Sequence, residues 1–185
     1  MIGSRKTTET QLSTILETWT TSKRIHDYRF FDVKELIITP KVRLKCMNGC
    51  PKYNVTKKCP PNETLSPEQC KSYLGEYTHG VILRFYPDQN QLCPYQVQAD
   101  LLELERQAFL LNNPFALAIF PKHCVQCQKC NKNDPCKNPI KARFSVSSMC
   151  IDILGTMAKF DIGQSILTEK QPTNQWYYIG LVLID

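Results

Sequence analysis

The chain has 185 residues, 42% hydrophobic and 22% charged, with a formal net charge of +6. These values fit one domain with a sizeable core and exclude low-complexity disorder, a collagen-like repeat and a coiled coil. No apolar run approaches the roughly 20 residues that span a bilayer, and the polar stretch from Met1 to Trp19 lacks a signal-peptide core, so the expectation is a soluble cytoplasmic protein.

In chain order, Leu12, Ile15, Leu16 and Trp19 recur at helical spacing and predict a helix over Glu9–Trp19. Glu35–Thr39 is a short β-rich run closed by Pro40, and reads as a strand. Lys41–Pro61 shows no apolar periodicity and reads as a structured loop. Ser66, with Pro67 behind it and Gln69 in the capping-box position, starts a helix running to about Tyr77. A strand at Gly80–Tyr86 follows, then a helix over Tyr95–Leu111, then a doubly buried strand at Phe115–Phe120. Pro121–Arg143 is a second long loop, Val146–Phe160 reads as a helix and Trp176–Ile184 as a last strand. The expected fold is α/β: a small mixed sheet of about four strands, flanked by helices, in a single domain over 1–185. Strand 80–86, helix 95–111 and strand 115–120 are expected to form a right-handed crossover unit. Two loops of this length in one compact domain are normally functional or held by something bound.

Both loops carry cysteines, of which the chain has ten. That is many for a chain expected to stay reduced, where thiols serve as metal ligands or catalysts. The second loop holds Cys124-x2-Cys127-x2-Cys130-x5-Cys136, with Pro139 beyond. Successive two-residue gaps let a loop wrap an inorganic core, and the pattern is related to the bacterial ferredoxin run, though its fourth cysteine comes later. A tetrahedral zinc site is the competitor, but structural zinc usually draws on two separated cysteine pairs. The first loop holds Cys46-x3-Cys50-x8-Cys59, followed by Pro60 and Pro61. A radical-SAM reading would need its third cysteine at Tyr53 and drops out. Three thiolates suit a four-iron cluster with one iron left for a remote cysteine, water or a substrate. That choice separates an electron carrier from a Lewis acid or sulfur-binding site.

Cys70 and Cys150 fall inside expected helices and read first as small buried hydrophobes, while Cys93 precedes Pro94 in a turn. Cys136 has a second reading as a ligand of the other cluster. Twelve of the 23 basic residues surround the cysteine groups: Lys41, Arg43, Lys45, Lys52, Lys57 and Lys58 at one, Lys122, Lys129, Lys132, Lys137, Lys141 and Arg143 at the other. A basic patch can bind nucleic acid, but this clustering favours compensation of thiolates and a bound anionic cluster. Ten cysteines with glycosylation acceptors at Asn54 and Asn62 also raise a disulfide framework, which cysteines three residues apart serve poorly. Of the three histidines only His123, beside Cys124, is placed for a ligand role. Glu105 shares a helix face with apolar residues and reads as a carboxylate paired with Arg143 or accepting backbone N–H bonds, or as a proton relay. Arg106 and Arg143 read either as anchors for the cluster loops or as surface arginines, and Tyr53 as a cluster cover or a packed aromatic. No phosphate loop, His-Glu-x-x-His or serine elbow is present.

These residues resemble a small cysteine-rich family of predicted metal-binding proteins from anaerobic bacteria and archaea, a domain of unknown function. The shared features are Arg43-Leu44-Lys45-Cys46, Cys50-Pro51-Lys52-Tyr53, Cys59-Pro60-Pro61, Leu104-Glu105-Arg106-Gln107-Ala108-Phe109, Cys124/Cys127/Cys130/Cys136 with Pro139, Lys141-Ala142-Arg143-Phe144-Ser145 and Ile151-Asp152. Phe144 stands where the family usually has proline, Val146-Ser147 where it has Met-Glu, and Cys150 at a usual glycine, so Cys150 is not carried over as a ligand. The resemblance implies an iron–sulfur protein without an assigned reaction. The leading expectation is two clusters of the four-iron type, held by Cys46, Cys50 and Cys59 and by Cys124, Cys127, Cys130 and Cys136. They would pass low-potential electrons to a redox partner protein or larger enzyme complex, with no nucleic-acid or membrane partner. The alternatives are an enzyme using an open iron at Cys46/Cys50/Cys59 for sulfur transfer or a small substrate, and a zinc-stapled interaction module.

Overall fold

The computed structural model describes residues 2–86, 93–160, 162 and 177–185. The architecture is mixed α/β, with a four-stranded sheet between helical layers. The strands are β1 (Asp27–Asp32), β2 (His79–Phe85), β3 (Leu117–Ile119) and β4 (Tyr178–Ile184), and the helices α1 (Ile2–Thr21), α2 (Lys41–Met47), α3 (Pro67–Gly75), α4 (Pro94–Leu110) and α5 (Ile153–Lys159). The sheet order is β1-β2-β4-β3 and every neighbouring pair is antiparallel.

The expected crossover unit is therefore split. β2 and β3 both run antiparallel to β4, so they are parallel to each other, but β4 lies between them. Sequence adjacency could not reveal this, because the inserted strand comes from the far end of the chain.

Double burial belongs to the central strands. All of β2 is buried, and so is β4 apart from Tyr178. On one face Val81, Leu83, Phe85 and Val182 pack with Leu12, Leu16 and Trp19 of α1 and Leu101 and Leu104 of α4. On the other, Ile82, Leu181 and Leu183 pack with Leu74 of α3 and Met157 of α5. β3 is an edge strand shorter than expected, and Phe115 ahead of it is 71% exposed. Trp176, at the start of the expected last strand, lies outside the described residues.

Gly80 fits where β2, β4 and the Phe31 ring crowd together. A Cβ there would sit 2.9 Å from the Val182 carbonyl oxygen and 2.9 Å from Phe31 Cζ. Since backbone must move, Gly80→Ala should cost about 1–3 kcal/mol, read by urea unfolding of the reduced protein. An unchanged midpoint would show that the strands yield freely.

Three other expectations are corrected. Glu35–Thr39 is not a strand: Asp32 and Glu35 close a capping box around a 3-10 turn at Val33–Glu35, and Ile38 forms only a bridge to Ile151. The strand lies earlier, at β1, whose charged and half-buried sequence lacks clean alternation because it pairs on one side only. Lys41–Met47 is helical, as α2, although it buries none of its residues. Val146–Phe160 is helical only from Ile153. Ser145 and Ser148 bond each other's backbone N–H groups, at 2.8 and 3.2 Å, and so hold a turn against helix formation. Cys150 ends that turn at φ +58, which accounts physically for a glycine preference at its position. Asp152 then caps α5 by accepting from Gly155 N at 3.0 Å. The capping box at Ser66 and Gln69 stands as expected.

Candidate metal centre

α2 positions the start of the first cysteine group. Its anchor is Arg43, one turn before Cys46, which reaches into the protein rather than outward. The Arg43 guanidinium donates to Glu63 Oε2 (2.8 Å), the Ser148 carbonyl (2.6 Å), Cys150 Sγ (3.1 Å) and Cys70 Sγ (3.6 Å). Glu63 is almost fully buried and also accepts from Leu65 N. The pair fixes the first loop against α3 and the turn before α5. From there Cys46, Cys50 and Cys59 converge on one cavity of about 390 Å³, which Tyr53, Lys52, Lys122 and His123 also line.

The second group has no regular element. Its loop is instead pinned to α4 by the buried Gln98, whose Nε2 donates to the His123 carbonyl (2.8 Å) and whose Oε1 accepts from Val125 N (3.1 Å). Held this way, Cys124, Cys127, Cys130 and Cys136 line a second space with Thr56, Lys57, Lys58 and Asn138. Cys136 thus lines the same space as the other cysteines of its loop. Asn138 Nδ2 donates to Cys127 Sγ at 3.1 Å. This space is only about 20 Å³, the room of roughly one water. Among the described residues, no three His, Cys, Asp or Glu side chains are drawn together tightly enough to hold a bare metal ion.

The two cavities share a wall. Cys59 and Pro60 face the first while Thr56, Lys57 and Lys58 face the second, and likewise His123 faces the first while Cys124 faces the second. Two lysines clasp the loops together: Lys57 Nζ donates to the Lys132 carbonyl (2.6 Å), and Lys132 Nζ to the carbonyl of Asn54 (2.7 Å). Several of the surrounding cations are thus structural. Lys58 lies over the Phe144 ring and Lys122 over that of Tyr178.

Burial is the main cause that lifts the thiols of Cys46, Cys59 and Cys124 above their ordinary pKa. Smaller contributions map the groups: Cys50 acts on Cys46, both act on Cys59, and Cys127, Cys130 and Cys136 act on Cys124. Cys124 also acts on Cys59, which ties one group to the other. The Thr56 hydroxyl favours the Cys59 thiolate, yet it has no partner of full hydrogen-bond geometry although it is buried. An unsatisfied buried donor beside two sets of thiols fits an anionic acceptor such as a thiolate or a sulfide. Burial, then Lys52 and Lys122, push the His123 imidazole below its usual pKa.

Elsewhere, Glu105 accepts from Arg143 Nε (2.8 Å) and Ala118 N (2.6 Å), so it braces the second loop against β3. Arg106 pairs with Glu103 on the surface of α4. Cys70 and Cys150 are fully buried, as expected, but around Arg43 rather than in an apolar core alone, and burial with Cys150 beside it lifts the Cys70 thiol to about 11. Cys93 is exposed at the start of α4. Gln98, Asn138, Thr56 and Glu63 are the contributors that spacing did not reveal. A buried glutamine on the apolar face of a helix was the one available signal.

A family model described as a predicted metal-binding protein (DUF2284) matches residues 29–184, most of the chain and both cysteine groups. No curated protein and no solved structure matches.

Proposed function

The chain belongs to the predicted metal-binding family DUF2284, and on that premise we propose that it is an iron–sulfur protein with two neighbouring four-iron clusters that hands low-potential electrons to a partner. The carrying observation is that all seven motif cysteines line two adjoining cavities, one group to each. Cys46, Cys50 and Cys59 would hold the first cluster, and Cys124, Cys127, Cys130 and Cys136 the second. Such clusters, when bound, supply one-electron chemistry whose potential depends on charge and on hydrogen bonds to sulfur. The chain's part is to supply those bonds and to keep the sites close. Asn138 and Thr56 are donors in the second space, and Lys52, Lys57, Lys58 and Lys122 place positive charge around the two.

A surface beside the second loop supports the partner reading. A groove of about 580 Å³ runs between α4 and this loop, lined by Tyr95, Phe109 and Ile140 with Arg106 and Lys141. Ile140 is 83% exposed and Phe109 56%. The groove's arginines, Arg106 and Arg143, are paired with Glu103 and Glu105, so Lys141 is the excess charge beside the apolar contacts, a surface suited to a largely apolar patch on a redox partner.

Two other readings rest on the unequal cavities. The roomier first cavity favours an enzyme, with a small substrate or transferred sulfur beside Cys46, Cys50 and Cys59. The 20 Å³ second space would admit a zinc ion with less loop movement than a cluster needs, as a structural staple. Iron, zinc and acid-labile sulfide per chain on anaerobically purified protein separate them. About eight iron and eight sulfide per chain is the expected result. One or two zinc without sulfide would overturn it.

A further inference from the structure

We infer that His123 is the fourth ligand of the cluster held by Cys46, Cys50 and Cys59, so that this site is a closed three-thiolate, one-imidazole set. The inference rests on the two-cluster reading above and decides what occupies its remaining iron. Three cysteines reach the first cavity, and the remaining cysteines do not. Cys150 is near enough to act on Cys46, but its Sγ accepts from Arg43 Nε at 3.1 Å and it lines neither cavity; Cys70 is likewise turned to Arg43, and Cys93 lies at the start of α4. Among the described residues, a fourth protein donor would come from another side chain that lines this cavity. Amines are not among the ligands that cluster iron takes, and Lys122 Nζ donates to Tyr178 Oη at 3.4 Å. Tyr53, Ser145 and Ser147 offer only oxygen donors, whereas cluster iron takes thiolate and imidazole, and Ser145 Oγ already accepts from Ser148 N at 3.2 Å. The imidazole of His123 is a nitrogen donor of the kind cluster iron accepts, and His123 is the only histidine on the cavity wall.

Its placement is rigid for a reason independent of the cavity. Gln98 grips the backbone on both sides of Cys124, at the carbonyl of His123 and the N–H of Val125. This splits two adjacent residues between two sites, with the His123 side chain toward the first cavity and Cys124 toward the second. The grip is on the main chain, so a change of side chain at 123 leaves it in place. Coordination by neutral imidazole releases no proton and leaves the cluster less negative than a fourth thiolate would. The first cluster is then the easier of the two to reduce, the trend known for histidine-ligated clusters.

The test is pulsed EPR on the dithionite-reduced full chain, prepared with ordinary or 15N-labelled histidine, alongside iron and sulfide counts. The expected spectrum contains a nitrogen coupling that changes with the label and vanishes in His123→Ala while sulfide and most iron remain. His123→Cys should retain both clusters, lose the coupling and lower the potential of one cluster only. Full iron with no label-sensitive nitrogen, or a coupling that survives His123→Ala, overturns the inference and leaves the two-cluster reading standing. Absence of iron and sulfide from the wild-type chain overturns both.

Discussion

Arg43→Ala is expected to cost about 3–5 kcal/mol of folding stability, the range for stranding one member of a buried ion pair. The reason is Glu63, whose side chain is 1% exposed and whose only cation is Arg43 in the described contacts. Burial works against the arginine's charge, but Glu63 first, and then Cys150 and Cys70, hold its pKa above the ordinary value. Removing the guanidinium also strips the Ser148 carbonyl and two sulfur atoms of their donor. Urea unfolding of the reduced, metal-free chain reads the loss. Adding Glu63→Leu to Arg43→Met should recover part of it, because the uncompensated charge goes with the glutamate. A single-variant loss below about 1 kcal/mol would show the pair to be solvated in practice.

The second large effect is on metal content. Cys127→Ser with Cys130→Ser should remove about four of eight iron while the other four stay, since serine keeps the shape but not the soft thiolate. The two groups line separate cavities, so loss from one does not dismantle the other. As the control, Cys93→Ser should retain the full complement, because Cys93 is exposed and lines neither space. Equal loss from both sites in the double variant would mean that the groups form one shared centre, and the site assignment would fall.

The spacing of the cysteines was legible because short gaps confine thiols to one loop whatever the rest of the chain does. Their sorting into two cavities follows that spacing closely, including Cys136. The helices with strong signals, at Ser66 and over 94–110, also stand where their caps and periodicity put them. What spacing could not carry was long-range. Nothing local in Trp176–Ile184 says that β4 inserts between two strands encoded earlier. Nothing in Lys57 or Lys132 says that each bonds the other loop's backbone, so their charge looked like compensation for thiolates alone. The place of Glu105 on an apolar helix face pointed to a paired carboxylate, with Arg143 among its possible partners. Its role in bracing the cysteine loop against β3 emerges only from the contact with Ala118 N.

The insertion of β4 also orders events in the life of the chain. Both cysteine loops leave the ribosome before residues 178–184, yet β2 and β3 meet only through those residues. Until they arrive, the hydrophobic faces that hold α1, α4 and α5 have no continuous sheet to close on. Pairing so distant in sequence is slow to form. The nascent chain thus carries all ten cysteines on an unfinished scaffold during that interval. The sheet on which α4 rests, and with it the hold of Gln98 on the second loop, is complete only when residues 178–184 have paired.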